Sequence, residues 1–365
     1  MKRFLAKATL AVAALACLAA FRPMPGSADQ ADMQMTAAGR QQLIDVLIRE
    51  INDSYVFPET ARKVEATLRA RQQRGAYDGI TSAHRLSEVL TRDLQATAND
   101  RHLNVMYSEE PLAEYAPDAG PSPEEAASRL AALRSRNFGV DKVERLPFNI
   151  GYLELTAFAP ARDAADTLAA AMTMLAHTDA LIIDLRGNGG GDAATSALLA
   201  SYLLDKPTHL GDFHLRKDNR IEPRWTSDTV PGLRYGQQKE VYVLTSRDTF
   251  SAAEDFAYAL RNLKRATIVG ETTGGGANGG DVLRLTPHFA VFVPLSRMIS
   301  PITKTNWEGV GVTPDVAVGA DDALRVAQAA ILGKMAASER DPAALGRLKD
   351  RIAELGGKGA AGACR

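Results

Sequence analysis

Residues 180–204 read ALIIDLRGNGGGDAATSALLASYLL, and this stretch decides the fold. Ala180 to Leu185 is a nearly unbroken apolar run, the pattern of a strand covered on both faces. Gly187, Gly189, Gly190 and Gly191 then mark a tight turn, and Ala193 to Leu204 reads as a helix. A buried strand that turns directly into a helix is the repeating unit of an α/β sheet. The flanking sequence repeats it. Ile150 to Leu155 reads as a strand, Asp163 to Thr178 as a helix, Val241 to Thr245 as a strand, and Ala252 to Leu263 as a helix. Thr267 to Gly270 and Phe289 to Leu295 complete the series as strands. This alternation predicts an α/β core with helices packed on the sheet.

The ends differ in character. From Thr36 to about Asp100 the pattern is helical, with Leu43, Val46, Leu47 and Ile51 on one face, Pro58 placed for a first helical turn, and Leu86, Val89, Leu90 and Leu94 on a third run. Three helices in a small bundle are expected there, as a scaffold. Pro111, Pro117, Pro121 and Pro123 with Gly120 predict a loop or hinge. From Ala317 the chain turns helical again and ends in a Gly and Ala tail from Gly356 to Cys364, which is expected to lack order. No fixed-period repeat is present.

Composition narrows the function. The chain has 365 residues, 45% hydrophobic, 24% charged and 6% aromatic, which excludes a disordered or fibrous protein and suits two domains of ordinary size. With 43 basic and 44 acidic residues there is no basic surplus to neutralise a phosphate backbone, so no nucleic-acid partner is expected.

Residues 1–28 carry Lys2, Arg3, Lys7 and Arg22 but no acid, then an apolar run from Ala8 to Phe21, Pro23, Pro25 and Gly26-Ser27-Ala28. That is the layout of a secretory leader cleaved after Ala28. An uncleaved anchor is the alternative, but the run falls short of the roughly 20 residues that span a bilayer. The expected destination is periplasmic or extracellular. Cys17 would leave with the leader and Cys364 would remain alone, so no internal disulfide can form. The expected organisation is a leader (1–28), an N-terminal helical subdomain (29–100), an α/β core (101–320) and a C-terminal helix with its tail (321–365).

Three segments can carry chemistry. The Gly187–Gly191 turn can aim several N–H groups at one point beside a helix N-terminus, which suits an anion; a tight turn without a ligand fits the same residues. It lacks both a Gly-Lys-Ser/Thr ending and the GxGxxG spacing, which disfavours a nucleotide. The second segment, Ser246 to Glu254, places Ser251 at the start of a helix with the Ala252 N–H beside it, the position of a nucleophile whose oxyanion is held locally. Ser251 and Glu254 also spell a Ser-x-x-Glu capping box. The third, Asn306 to Asp315, puts Glu308 among glycines and Trp307, as a group that orients a base, binds substrate, or is simply a solvated acid. Among six histidines none pairs at zinc spacing, so no metal is expected. His102, in Asp100-Arg101-His102 before the apolar strand Leu103 to Tyr107, is the most suggestive base; a packing role is the alternative.

Together these segments resemble the tail-specific or C-terminal processing serine peptidases, in the branch shared by the tricorn protease core and the bacterial relatives of interphotoreceptor retinoid-binding protein. The motifs, in the family's order, are Asp100–Val105, Val143–Pro147 running into Asn149–Leu153, Asp184–Gly191, Thr245–Glu254 with Val269–Gly274, and Trp307–Asp315. The resemblance covers about residues 37 to 318.

The resemblance implies a ClpP/crotonase-like core of β-β-α units behind the helical subdomain, and no cofactor. It implies Ser251 as nucleophile, His102 as general base and Glu308 as an orienting group, with an oxyanion hole from the amides of Ala252 and of Gly189 or Gly190. The implied activity is a secreted endopeptidase acting on peptides or unfolded protein through an acyl-enzyme. Two departures stand out. The lysine base of the processing branch is missing from the Gly274–Gly280 run, and Arg101 stands where the tricorn type has a serine. The short span from His102 to Tyr152 also leaves little room for a PDZ module. The rival reading is a non-catalytic binder of retinoid- or fatty-acid-type molecules on the same fold. Acyl-CoA chemistry is disfavoured for an exported chain.

Overall fold

The computed structural model describes residues 32–112 and 122–357. The leader, the middle of the proline-rich segment and the tail beyond Gly357 lie outside the described residues.

The N-terminal helices start where side chains satisfy their free amides. The Thr36 hydroxyl accepts the Gly39 N–H ahead of α1 (Ala37–Ser54), Pro58 opens α2 (Pro58–Gln73), and the Ser82 hydroxyl accepts the Arg85 N–H ahead of α3 (Ala83–Ala98). On α1, Leu43, Ile44, Leu47, Ile48 and Ile51 fall three or four apart and are buried. Their cover is shared. They pack with Leu103 and Val105 around β1 (Asn104–Tyr107) and with Leu285, Phe289, Val291 and Val293 further along the chain. The helices therefore lie as a layer on a sheet.

A capping box of Ser122 and Glu125 starts α4 (Pro123–Ser135), which buries none of its residues and so leaves no apolar stripe for a sequence reading to find. The chain continues through β2 (Val140–Leu146), β3 (Ile150–Leu155), α5 (Ala161–Leu175), β4 (Ala180–Asp184), α6 (Ala193–Leu203), β5 (His209–Leu215), β6 (Ile221–Trp225), β7 (Glu240–Thr245), α7 (Ala252–Asn262), β8 (Thr267–Gly270), β9 (Asn278–Thr286), β10 (Phe289–Ile299), β11 (Val316–Ala317), α8 (Ala320–Ser338) and α9 (Pro342–Gly357). Helix α9 runs through Gly356 and Gly357, so the order expected to end before Gly356 extends slightly further.

The α/β class predicted by the alternation is present, as two sheets. A six-stranded sheet has the order β11-β8-β7-β4-β3-β2, parallel except at the β2 edge. Helices α5, α6 and α7 cover one face and α8 and α9 the other, which is why every residue of β4 is buried. The second sheet is antiparallel, with β10 pairing β1, β9 and β5, and β5 pairing β6. In the parallel sheet, β4 and β7 end side by side, and the turns leaving their carboxyl ends lead into α6 and α7. Open α/β sheets place ligands at that edge.

Candidate active site

Two turns meet there. Asn188, fully buried, ties them together: its side-chain amide donates to the Leu155 carbonyl at 3.0 Å, its Oδ1 accepts the Gly190 N–H at 2.8 Å, and its carbonyl accepts the Phe250 N–H at 3.0 Å. The glycine turn thus lies against the residue before Ser251. A Cβ on Gly190 would sit 2.7 Å from the Ser251 Cβ, and its φ of 105° is closed to most side chains, so only glycine serves.

Ser251 has φ 53° and ψ −120°. An ordinary N-cap residue is extended; this conformation is strained for any residue with a side chain and is held by its surroundings. The Glu254 half of the expected capping box is formed, since the Ser251 N–H donates to Glu254 Oε2 at 2.9 Å. Glu254 does more than cap. Buried, it also accepts the Gly276 N–H at 2.8 Å, the Gly275 N–H at 2.6 Å and the Thr273 hydroxyl, clasping the 273–276 loop onto the start of α7. Burial pushes its carboxyl above the usual range, against the opposing pull of those four hydrogen bonds.

Beside Ser251 lies a cavity of about 240 Å³, lined by Gly189, Ala252, Phe213, Leu215, Phe292, Leu295, Met298 and Trp307 among others. Of the amides implied for an oxyanion hole, Gly189 and Ala252 border this cavity. The Gly190 N–H does not qualify, because Asn188 Oδ1 already takes it.

The second group of residues gathers at the end of α3. Asn99 closes that helix in the left-handed conformation, with φ 51°, so the helix ends before Asp100, and Asp100-Arg101-His102 forms a turn into β1. The His102 ring is buried between Phe250, at 4.5 Å between centroids, and Phe292, at 5.7 Å. Gly276 lies edge-on to it: a Cβ there would meet His102 Cε1 at 2.5 Å and the Phe250 ring at 2.3 Å.

His102 Nδ1 is 3.6 Å from Asp100 Oδ1, and neither ring nitrogen has a hydrogen-bond partner. His102 and Ser251 are therefore brought to one region through Phe250 and Gly276 without a hydrogen bond between them. Catalytic contacts of this kind are commonly loose before substrate binds.

Arg101, in the position of the tricorn-type serine, turns away from the imidazole. Its guanidinium donates to the Gly274 carbonyl at 2.9 Å and lies 5.2 Å over the Phe250 ring. Asp100 occupies the place beside Nδ1 instead. Its Oδ1 accepts the His102 backbone N–H at 3.0 Å, while Oδ2 accepts the Tyr55 hydroxyl and the Asn278 amide, each at 3.0 Å. Burial alone would raise the Asp100 carboxyl, but the adjacent His102 ring, the Asn278 amide and the His102 backbone N–H outweigh it and hold the group below the usual carboxylate range.

Glu308 comes to the same cluster. Its Oε2 accepts the Ala277 and Asn278 N–H groups at 2.6 and 3.1 Å, and its Oε1 is buried without a partner. Burial first, and then the negative charge of Asp100, push its carboxyl up to about 8. At neutral pH it is a neutral acid beside an anion, not the solvated acid that the sequence also allowed.

Ligand atoms of Asp100, His102 and Glu308 lie within 4.8 Å of one another. Ligands about 2.1 Å from a tetrahedral zinc ion stand about 3.4 Å apart. Asp100 already accepts three hydrogen bonds.

Sequence reasoning singled out His102, Ser251 and Glu308 and missed Asp100, Tyr55 and Asn278. The Asp-x-His spacing was the available signal for Asp100. Tyr55 and Asn278, 45 and 178 residues away from it, offered none.

The sequence profile of peptidase family S41 matches residues 149–318, and that of the N-terminal domain of peptidase S41 in eukaryotic IRBP matches residues 35–139. The chain belongs to peptidase family S41. S41 peptidases are serine-type hydrolases, as the five motifs together implied. One S41 relative, the chloroplastic carboxyl-terminal-processing peptidase 2 of Arabidopsis thaliana, is 32% identical over 171 residues, 46% of this chain and 31% of its own. The carboxy-terminal-processing protease of Bartonella bacilliformis is 28% identical over 186 residues, 48% of this chain and 40% of its own. The chain thus spans about a third to two fifths of the length of these curated relatives. A putative peptidase from Parabacteroides merdae shares the fold of this chain at a TM-score of 0.52 and 22% identity, covering 78% of this chain and 92% of its own. Among the described residues no helix is long and apolar enough to cross a membrane.

Proposed function

We propose that this S41 chain is a serine endopeptidase, exported after removal of residues 1–28, with residues 29–100 bracing a catalytic unit over 101–320. Ser251 attacks the scissile carbonyl while His102 Nε2 takes its proton. The Gly189 and Ala252 amides stabilise the oxyanion, His102 passes the proton to the leaving amine as the C–N bond breaks, and Glu308 orients the base; water, giving its proton to His102, then attacks the acyl ester, and the proton returns to Ser251 as the acid leaves. Losing one oxyanion donor is worth about 2.7 to 4 kcal/mol of transition-state stabilisation on general magnitudes.

The observation that carries this reading is the backbone of Ser251, held at φ 53° and ψ −120° on the rim of a cavity that it shares with both proposed oxyanion amides. A residue that only capped a helix would not need that strain.

The cavity supports peptide over lipid-type ligands. Its 240 Å³ lies below the roughly 300 to 1,000 Å³ of sites that enclose a whole small molecule, and fits one large apolar side chain of an extended substrate. The test is a fluorophosphonate probe on the folded protein. Labelling of wild type but not of Ser251→Ala or His102→Ala supports the peptidase. No labelling, together with tight uptake of a fluorescent fatty acid, overturns it in favour of the binder.

A further inference from the structure

Accepting Ser251, His102 and Glu308 in those roles, we propose that Asp100 is a further positioning residue of the site: it fixes the proton of His102 on Nδ1, so that Nε2 is left as the free base, and it compensates the imidazolium formed during attack. An imidazole between two phenyl rings has no polar contact to set its tautomer, and the one anionic oxygen within 3.6 Å of Nδ1 is Asp100 Oδ1. A small rotation of the ring closes that gap to a hydrogen bond. The carboxylate itself cannot swing away, because the His102 backbone N–H, the Tyr55 hydroxyl and the Asn278 amide hold it from three directions.

Every neighbour that could compete is accounted for. From the end of α1, Tyr55 is held far above the usual phenol range by burial and then by Asp100, so it remains a donor. From the 306–311 loop, Glu308 turns its Oε2 to the Ala277 and Asn278 N–H groups, and burial and then the Asp100 charge push its carboxyl up to about 8. Glu254 on α7 is engaged by the Ser251, Gly275 and Gly276 amides and the Thr273 hydroxyl, and Arg101 by the Gly274 carbonyl. Among the described residues, Asp100 is the carboxylate paired with the imidazole, beside the position where Arg101 replaces the tricorn-type serine.

The test is the rate of fluorophosphonate labelling of the full chain as a function of pH. Asp100→Asn is expected to slow labelling by about 10²-fold or more and to move the acidic limb of the profile to lower pH, because the anion that stabilises the imidazolium is gone. Tyr55→Phe removes one donor from the carboxylate and keeps its charge, which strengthens its hold on the imidazolium. Its acidic limb is expected to move the other way, to higher pH. Opposite shifts from removing the carboxylate and from removing one of its donors are not produced by a general loosening of the fold. The proposal is overturned if folded Asp100→Asn keeps the wild-type limb. Where that variant does not fold, an unmoved limb in Tyr55→Phe overturns it. Ser251→Ala and His102→Ala keep the two readings apart: if they label like wild type, the peptidase assignment fails; if they do not label and the Asp100→Asn limb stays put, only the role of Asp100 fails.

Discussion

The backbone N–H of Ser251 donates to Glu254 Oε2 at 2.9 Å, and that same oxygen accepts the Gly276 N–H at 2.8 Å. One buried carboxylate therefore sets the conformation of the nucleophile candidate and the position of the loop against which the His102 ring rests.

The strain at Ser251 has a measurable consequence. A residue held at φ 53° and ψ −120° costs on the order of 1 to 3 kcal/mol unless it lacks a Cβ. Ser251→Gly is expected to raise the melting temperature above that of Ser251→Ala while both lose fluorophosphonate labelling. A Gly variant less stable than the Ala variant would remove strain from the account.

Glu308 ties stability to pH. Its folded-state pKa of about 8 lies above the ordinary 4.5, so the folded protein binds a proton there that the unfolded chain has released. The resulting stabilisation is complete below about pH 4.5 and is lost as pH rises towards about 8. In urea melts, the wild-type midpoint should fall across that window and Glu308→Gln should fall less. Labelling at alkaline pH relative to neutral pH should also be higher in Glu308→Gln. Parallel midpoint curves for the two proteins would exclude a neutral Glu308.

Gly276 tests the packing around the base. Gly276→Ala would bring a methyl group to 2.5 Å from His102 Cε1. Overpacking of this sort costs about 1 to 3 kcal/mol when the surroundings yield, and the Phe250 and His102 rings, packed against each other, are what must yield. The expected result is a folded protein labelled at least about tenfold more slowly. Wild-type labelling would place the imidazole elsewhere.

The cavity predicts selectivity. Phe213, Leu215, Phe292, Leu295, Met298 and Trp307 offer walls without a cation for an acidic side chain, whereas Glu222, Asp255 and Asp281 also line the space. Matched fluorogenic peptides should therefore be cleaved faster with Leu or Phe before the scissile bond than with Asp. A preference for Asp would contradict the assignment of the cavity to that side chain.

The fold was legible where periodicity was strong. The fully covered strands Ile150–Leu155, Ala180–Asp184 and Thr267–Gly270 read directly from their apolar runs. The antiparallel strands at His209–Leu215, Ile221–Trp225 and Asn278–Thr286 did not, because their burial is partial and their polar residues break the alternation. The site followed the same division. His102, Ser251 and Glu308 sit in motifs that were readable as local strings, whereas the carboxylate clamp of Asp100 by Tyr55 and Asn278 exists only once distant strands and helices are packed.

Strand β10 contributes Val291 and Val293 to the apolar cluster beneath α1–α3 and Met298 to the one that surrounds α6 and α7. His102 is anchored in the first cluster through Leu103 and Val105, and Ser251 in the second through Ala252 and Ala253. The two halves of the chemistry thus rest on separate apolar clusters that share strand β10. A slip of a fraction of an ångström between those clusters would silence the site while each remained intact. Heat or mild denaturant should extinguish turnover before any spectroscopic sign of melting appears.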